Sequence, residues 1–444
     1  MKNLSGARRN RVCHIIILFL FSAITLFAQQ PTKRTILRAG KLLDVKTGKI
    51  FVNQSVVIEG DKIANIAPSS GVKASAADIV IDLPNATVLP GLIDAHVHLT
   101  YNTQFGYPTL AISVPRHALI GAHNARVTLD AGFTTVRNVN AQGYADVALR
   151  DAIDAGEVPG PRMLVSGPAL SITGGHCDNN LLPFDYHATR EGVADGVEQV
   201  QHKVREAIKY GADLIKVCAT GGVLSKGDDP NASQYTLEEM KAIVADSHRL
   251  GRKVAAHAIG AQGVIWASDA GVDSIEHGHL MNDAAIATLK RNGTYLVPTL
   301  YLTDWVRQNP GNLPDYAKRK SEFVAGAARE NIKKAFEAGV KIALGTDAAV
   351  YPHGMNAHEL EVYVSIGMSP LQAIQTATIN DADLLGWSDK VGTLEPGKWA
   401  DIIAVDGDPL QDVTTLQHVK FVMKGGEVVK NEYGTSTGSK VGIP

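Results

Sequence analysis

At residues 88–99 the chain reads Val88-Leu89-Pro90-Gly91-Leu92-Ile93-Asp94-Ala95-His96-Val97-His98-Leu99. The apolar part has no helical periodicity, which is typical of a parallel strand buried on both faces. Because residues two apart in a strand point the same way, His96 and His98 can face one metal ion. A buried or solvated pair is the competing interpretation of any isolated His-x-His, so the other predicted strands must decide.

The composition favours small-molecule chemistry. The 444 residues are 45% hydrophobic and 20% charged, so the chain can bury a large core as one barrel-type domain or as two domains. The formal net charge of -2 offers no basic face for nucleic acid. We therefore expect a small-molecule or dipeptide substrate and no nucleic-acid partner.

The N-terminus has the pattern of a secretory signal peptide. Basic residues precede an apolar run over residues 15–27, and Ala28 follows it. The run is shorter than the roughly 20 residues that a membrane span needs. We predict a signal peptide over residues 1–28, a secreted or periplasmic protein, and no membrane association after cleavage.

Two cysteines remain after this cleavage, Cys177 and Cys218. Two cysteines do not make a disulfide framework, and Cys218 lies in an apolar predicted strand. A buried free thiol is therefore expected at Cys218.

Two flanking regions predict one small β domain built from both chain ends. Residues 29–86 and 387–432 contain short strand-like pieces punctuated by glycines. Residues 433–444 are rich in Gly, Ser and Thr, which predicts a disordered tail.

Residues 87–386 alternate apolar strands with longer helical segments, which is the rhythm of a parallel βα fold. Eight such units predict a (β/α)8 TIM barrel with its active site at the carboxyl ends of the strands. The fold class is thus α/β, a TIM barrel with a small β-sandwich domain. The predicted strands are Val88–His98, Thr134–Asn138, Arg162–Ser166, Leu214–Cys218, Lys253–His257, Ser274–His277, Thr294–Thr299 and Lys341–Thr346. Helices are predicted at Val193–Tyr210, Leu237–Leu250 and Tyr316–Ala338, with Thr236 and Asp315 capping the last two.

Polar residues recur where the predicted strands end. Lys216 lies in the otherwise apolar fourth strand, where an unpaired lysine is costly to bury. The fifth, sixth and eighth strands end at His257, His277 and Asp347. With the two histidines of the first strand, six candidate ligands fall at five strand ends that a barrel brings around one mouth. Chance is a poor explanation for this set, so a metal site is predicted.

On these residues the chain resembles the amidohydrolase superfamily, and within it the branch with two metal ions and a carboxylated lysine. The resemblance covers nearly the whole chain after the signal peptide. It implies two divalent ions, expected to be zinc, with Lys216 carboxylated by CO2. The implied ligands are His96, His98 and Asp347 for the first ion, His257 and His277 for the second, and Lys216 between them.

The resemblance implies hydrolysis of an amide bond, and the residue types suit that chemistry. A lysine ammonium cannot bind metal, but its carbamate is a bidentate anion, and burial helps the amine lose the proton that blocks reaction with CO2. Bound divalent ions lower the pKa of a shared water towards neutrality. Asp347 would act as the catalytic base and return the proton to the leaving nitrogen.

Three segments resemble a narrower group, that of Xaa-Pro dipeptidases and imidazolonepropionase-like carboxypeptidases. They are Ile172-Thr173-Gly174-Gly175-His176, Gly221-Gly222-Val223-Leu224-Ser225 and Gln234-Tyr235-Thr236. That group cleaves dipeptides and N-acyl amino acids, and it includes ochratoxin hydrolases. Asn138 stands where the resemblance leads us to expect an acidic residue and Cys177 where it leads us to expect glycine, and these departures bear on the substrate range rather than on the metal centre.

The predicted loops supply three candidate substrate-binding residues, His176, Tyr235 and Arg137. An enzyme that removes a C-terminal residue needs a hydrogen-bond donor or cation for the free carboxylate. Packing of Tyr235 against the following helix and solvation of His176 are the alternatives.

Two other functions compete with a metallo-dipeptidase or N-acyl amino acid hydrolase. One is a mononuclear cyclic-amide hydrolase or deaminase of the same superfamily, against which Lys216 argues. The other is a metal-free scaffold, which would be expected to have lost ligands. A homo-oligomer is expected in either enzyme case.

Overall fold

The computed structural model describes residues 34–104, 106–434 and 436–437. The predicted signal peptide over residues 1–28 lies outside these described residues. Within them, every helix is too short or too polar to cross a membrane.

Eight strands form a mixed sheet from both ends of the chain. The strands are β1 (Arg34–Asp44), β2 (Lys49–Glu59), β3 (Lys62–Pro68), β4 (Ile79–Pro90), β12 (Ile402–Asp406), β13 (Phe421–Lys424), β14 (Glu427–Asn431) and β15 (Ser436–Thr437). Along the sheet the order is β14-β13-β12-β4-β1-β2-β3, with β15 beside β4. Strands β1 and β4 are parallel, while β12 runs antiparallel to β4 and so joins the C-terminal strands to the N-terminal ones.

Seven parallel strands form the barrel. They are β5 (Leu92–Val97), β6 (Phe133–Asn138), β7 (Arg162–Val165), β8 (Leu214–Cys218), β9 (Lys253–Gly260), β10 (Ser274–Leu280) and β11 (Tyr295–Val297). They pair in the two runs β5-β6-β7 and β8-β9-β10-β11. A bridge between Leu170 and Val217 joins the two runs, and residues 342–348 bridge β11 back to β5. The predicted α/β fold class, a TIM barrel with a small β domain from both chain ends, is confirmed.

Helices surround the barrel and cover its apolar strands. They are α1 (Val114–Asp130), α2 (Ala145–Asp154), α3 (Val197–Lys209), α4 (Leu237–Arg249), α5 (Ala261–Ala270), α6 (Asp283–Asn292), α7 (Tyr301–Gln308), α8 (Asp315–Glu337), α9 (His358–Ser365), α10 (Pro370–Gln375) and α11 (Asp381–Leu385), with a π-helix at Thr376–Asn380. Thr236 caps α4 in a reciprocal capping box with Glu239, as the sequence pattern predicts. Asp315 makes no such cap, because it is already the first residue of α8.

The strand predicted at Val88–His98 is two strands that belong to different sheets. β4 ends at Pro90, and β5 begins at Leu92. At the break, Gly91 donates its amide to Asp401, and a Cβ at Gly91 would lie 2.1 Å from Thr134 Oγ1. Only glycine permits this close approach, so the chain passes here from the small domain into the barrel.

The eighth predicted strand, Lys341–Thr346, is not a regular strand. Single bridges place it between its neighbours, at Ile342 beside β11 and at Ala348 beside β5. Its carboxyl end passes very close to β5, since a Cβ on Gly345 would lie 2.6 Å from the Cβ of His96. The segment is therefore held against β5 without a continuous ladder.

The predicted disordered tail, residues 433–444, lies mostly outside the described residues. Within it, Tyr433 donates its hydroxyl to Asp406, and Ser436–Thr437 pair with β4.

Candidate metal centre

The six predicted ligands line one cavity of about 280 Å³ at the carboxyl end of the barrel. They come from five different strand ends, and the fold alone brings them together. The six are His96, His98, Lys216, His257, His277 and Asp347.

The first group of donors is His96, His98 and Asp347. Asp347 Oδ1 lies 3.0 Å from His98 Nε2 and 3.5 Å from His96 Nε2, and the three donor atoms fall within 4.8 Å of one another. The Nδ1 atom of His98 is buried without a hydrogen-bond partner in the described chain. Burial raises the pKa of Asp347, but hydrogen bonds from the two histidines outweigh it and hold this pKa well below its usual range. The carboxylate is therefore charged, as a ligand or a base must be.

His257 and His277 form the second group. Their ring centroids lie 4.7 Å apart, and the ring of His277 lies 5.1 Å from that of His96. His257 donates Nε2–H to the carbonyl of Gly221 over 3.1 Å, so its Nδ1 has the free lone pair. His277 Nδ1 lies 2.7 Å from Thr299 Oγ1. Burial lowers both histidine pKa values well below the usual value, so both rings are neutral, as metal binding requires.

Lys216, on β8, lines the same cavity and is only 3% exposed. Its ammonium makes no hydrogen bond or ion pair within the described residues, which is costly for a buried charge. Burial lowers the pKa of Lys216 to about 8, although the carboxylates of Glu276 and Asp347 act in the opposite direction. A larger fraction of neutral amine is therefore present near pH 7 than for an exposed lysine.

Glu276, a buried acid that the sequence analysis did not single out, holds the ring of His96 through its Nδ1 atom. Glu276 accepts from His96 Nδ1 at 2.7 Å, from Arg137 Nη2 at 2.8 Å and from Ser274 Oγ at 2.5 Å. Burial raises the pKa of Glu276, but the charge of Arg137 and the hydrogen bond from His96 together outweigh it, and the pKa falls to about 2. Carboxylate support of this kind fixes the orientation of a metal-binding imidazole. A glutamate one residue before His277 in an apolar strand was the signal that could have found it.

The backbone at the strand ends is strained where it presents these groups. His277, Thr299 and Asp347 have φ values of 73°, 51° and 58°, in the left-handed region that favours glycine. Such conformations persist only where surrounding contacts impose them, and they concentrate at functional sites.

Arg137 has a different place from the one predicted. Its guanidinium is buried and donates to the carbonyl of Ala95, to Ser274 and to Glu276, and it does not line the cavity. The guanidinium of Arg137 is ion-paired with Glu276 and is engaged within the fold. Because it does not line the cavity, its position does not suit the substrate-binding role predicted for it.

Tyr235 also lies away from the cavity. Its side chain is fully buried and its hydroxyl donates to the carbonyl of Ala194 over 3.1 Å. The alternative weighed from the sequence placed Tyr235 against the following helix; the structure buries it in the core with its hydroxyl on Ala194.

His176 does line the cavity, with its ring stacked on that of His257 at 4.1 Å. Its Nδ1 lies 2.7 Å from Ser225 Oγ, and the proton of that hydroxyl goes to Asp228. His176 therefore donates through Nδ1 to Ser225. Burial lowers the pKa of His176 to about 4, so the ring is neutral and its Nε2 is an acceptor.

The expectation of a free thiol at Cys218 is wrong. Cys218 is bonded to Cys177 across a Cα–Cα distance of 6.4 Å, and both residues line the cavity. A cysteine in the place of a usual glycine thus ties the loop after β7 to the strand that carries Lys216. Strand burial alone could not reveal this pairing, because the partners are 41 residues apart.

Asn138, the second departure from the expected pattern, is buried beneath the cavity. Its side chain accepts from the amide of Leu99 at 2.7 Å and donates to Asp146 at 3.2 Å. It therefore organises the loops after β5 and β6 and contributes no charge.

A second cavity, of about 450 Å³ and here called the outer cavity, adjoins the first one, here called the inner cavity. The two share residues, among them His176, Asp178 and Arg190. Apolar side chains form much of the outer wall, including Tyr107, Leu182 and Tyr316.

The barrel, the small domain and the polar strand ends define a class of protein, the hydrolases that act on amide carbon–nitrogen bonds. The chain belongs to the amidohydrolase family, whose sequence model matches residues 87–429. Metal dependence is typical of this family. The suspected membership is thus confirmed, and the protein is an enzyme of this hydrolase class.

Three known proteins that resemble the chain over most of its length belong to the group suspected from the sequence. Ochratoxinase of Aspergillus niger is 34% identical over 433 residues, which cover 92% of this chain and 89% of that protein. A crystal structure of a Xaa-Pro dipeptidase with methionine bound in its active site is 39% identical, with a TM-score of 0.85, and covers 90% of this chain and 100% of that chain. A prolidase complexed with N-methylphosphonate-L-proline is 31% identical, with a TM-score of 0.83, over 90% of this chain and 100% of that chain.

Proposed function

We propose that the protein is a secreted amidohydrolase that cleaves dipeptides or N-acyl amino acids with two divalent metal ions. One observation carries this proposal: all six candidate ligands line a single cavity. The Cys177–Cys218 disulfide supports export, because disulfides persist in oxidising compartments.

The donor set fits a pair of zinc ions. His96, His98 and Asp347 offer converging nitrogen and oxygen atoms, and the buried, unpaired Lys216 is suited to carry a carbamate. His257 and His277 complete the set as neutral imidazoles. When bound, the ions would polarise the scissile carbonyl and acidify a shared water.

The residues of the chain handle the proton. Asp347 is charged and faces the same space as the histidines, so it can take a proton from the attacking water. The same carboxyl can then return the proton to the leaving nitrogen, which regenerates the carboxylate. Glu276 keeps His96 oriented during these steps through the 2.7 Å contact with Nδ1.

The substrate class rests on the ligands of the relatives and on the shape of the cavities. Methionine and the proline phosphonate each present the carboxylate of an amino acid. The apolar outer wall around Tyr107, Leu182 and Tyr316 suits an apolar acyl group. We therefore propose a free C-terminal carboxylate on one side of the scissile bond and a tolerant acyl position on the other.

The test is a library of dipeptides and N-acyl amino acids on zinc-loaded protein, with metal counted per chain. We expect hydrolysis and two metal ions per chain. One metal with activity on cyclic amides or on amino-substituted rings would instead favour the mononuclear cyclic-amide hydrolase or deaminase. No bound metal and no hydrolysis would favour a scaffold.

A further inference from the structure

The loop after β7 carries one arginine, Arg190, whose guanidinium has no direct partner among the described residues. Arg190 lines both cavities, and its guanidinium makes no hydrogen bond or ion pair within the described residues. Lys216 is the other Lys or Arg among the described residues that line the inner cavity, and it belongs to the candidate metal set. Arg190 is thus the cation of the inner cavity that is available for an anionic group of a substrate.

The three residues expected to bind the carboxylate are not available for that role. The hydroxyl of Tyr235 and the guanidinium of Arg137 are used inside the fold. The Nδ1 atom of His176 lies 2.7 Å from Ser225 Oγ, and its ring is stacked on that of the candidate ligand His257.

The backbone around Arg190 is held in place. Its amide donates to Asp178 Oδ1 over 3.0 Å, and the other carboxylate oxygen of Asp178 accepts from Gly174 at 2.9 Å. Both carboxylate oxygens of Asp178 therefore accept hydrogen bonds from backbone amides of its own loop. The preceding residue, Cys177, is bonded to Cys218 on the strand of Lys216. The position of Arg190 is thereby tied to the metal-binding strand by one disulfide and one hydrogen bond.

We propose that Arg190 is the specificity-determining residue that binds the C-terminal carboxylate of the substrate. This inference rests on the proposed function and deepens it. Arginine matches a carboxylate with two parallel N–H donors, which gives both energy and orientation. A cation that lines the same cavity as the candidate ligands would select substrates by the position of their chain end, as an exopeptidase requires.

The first experiment compares N-benzoyl-L-phenylalanine with its C-terminal amide. The variants are Arg190→Gln, Arg190→Lys and, as a matched control on the same loop, Glu191→Gln. Glu191 also lines the inner cavity, so the control changes the local charge by one unit without removing the guanidinium. Circular dichroism and melting curves show whether each variant folds.

We expect Arg190→Gln to lower kcat/KM for the acid about 10- to 100-fold, mainly through KM, because a hydrogen-bonded charge pair is lost. The amide should change little, so the preference for the acid disappears. Arg190→Lys should recover part of the preference, and Glu191→Gln should keep all of it. Equal losses for acid and amide, or an unchanged preference in Arg190→Gln, would overturn the assignment.

A second experiment needs no turnover. Calorimetry on the zinc-loaded protein compares the binding of L-phenylalanine and L-phenylalaninamide. Selective binding of the acid that Arg190→Gln abolishes supports the assignment, even if no substrate of the proposed class is hydrolysed. Selective binding that survives the substitution, or no selectivity in the wild type, refutes it. Failure of the proposed function is recognised separately, as a lack of hydrolysis across the whole library.

Discussion

Reduction of the Cys177–Cys218 disulfide is expected to destabilise the protein by about 4 kcal/mol. The cross-link closes a loop of 41 residues. The chain-entropy relation for such a loop corresponds to a loss of about 13 cal/mol/K in the unfolded state, or about 4 kcal/mol at 25 °C. Reduction keeps the same atoms in the core, so this figure isolates the cross-link.

The assay is urea unfolding of the wild type with and without a phosphine reductant, followed by circular dichroism. The matched control is Cys177→Ala, which has no cross-link and should give the same free energy of unfolding under both conditions. Thiol titration of the unfolded, unreduced wild type checks that Cys177 and Cys218 are oxidised. Two free thiols, or a difference below about 1 kcal/mol between the two wild-type curves, would refute the reasoning.

Four substitutions test the metal centre and the buried acids. Lys216→Ala should abolish activity and lower bound metal, and short-chain carboxylic acids should partly restore both; full activity in this variant would contradict the two-metal proposal. Asp347→Asn should lower activity by about two to four orders of magnitude while zinc analysis still finds metal, since the base is lost. Glu276→Gln leaves Arg137 buried without its charge partner, so urea unfolding should show a free energy of unfolding lower by about 3–5 kcal/mol. Because the glutamine also supports His96 less well, metal titration should show an affinity weaker by about 10- to 100-fold. Burial raises the pKa of Glu359, on α9, to about 8, above its unfolded value of about 4.3. Between these two pH values the folded state keeps the proton and the unfolded state loses it, so the free energy of unfolding should fall as the pH rises through that window. Glu359→Gln cannot titrate and should flatten this slope.

The barrel and the candidate ligands follow from local patterns, and this is why they could be predicted. An apolar run that ends in a candidate ligand, as at His96, predicts both the strand and the side chain at its carboxyl end. Seven of the eight predicted strands form ladders, whereas Lys341–Thr346 is held between its neighbours by single bridges only. The break at Gly91 was missed, because glycine there is required by the approach of Thr134, a residue 43 positions away.

The substrate-binding residues could not be predicted in the same way. Arg137 and Tyr235 carry suitable donors, but whether a donor faces the cavity or the fold depends on partners that are distant in sequence. Arg190 is the reverse case, since an arginine in a polar loop carries no local signal. Only the lack of a partner for its guanidinium, together with its place on both cavities, distinguishes it.

The Cys177–Cys218 disulfide restrains the loop that carries Arg190. Cys218 lies two residues after Lys216, so a bond to Cys177 anchors the loop after β7 directly to a strand that supplies a candidate ligand. Asp178, next to Cys177, then holds the amide of Arg190. An enzyme that recognises a chain end needs a fixed distance between its carboxylate site and its reacting centre, because binding energy gained at one is useful only if the scissile bond reaches the other. Here a covalent bond restricts the loop, and the restriction falls on the segment that presents Arg190.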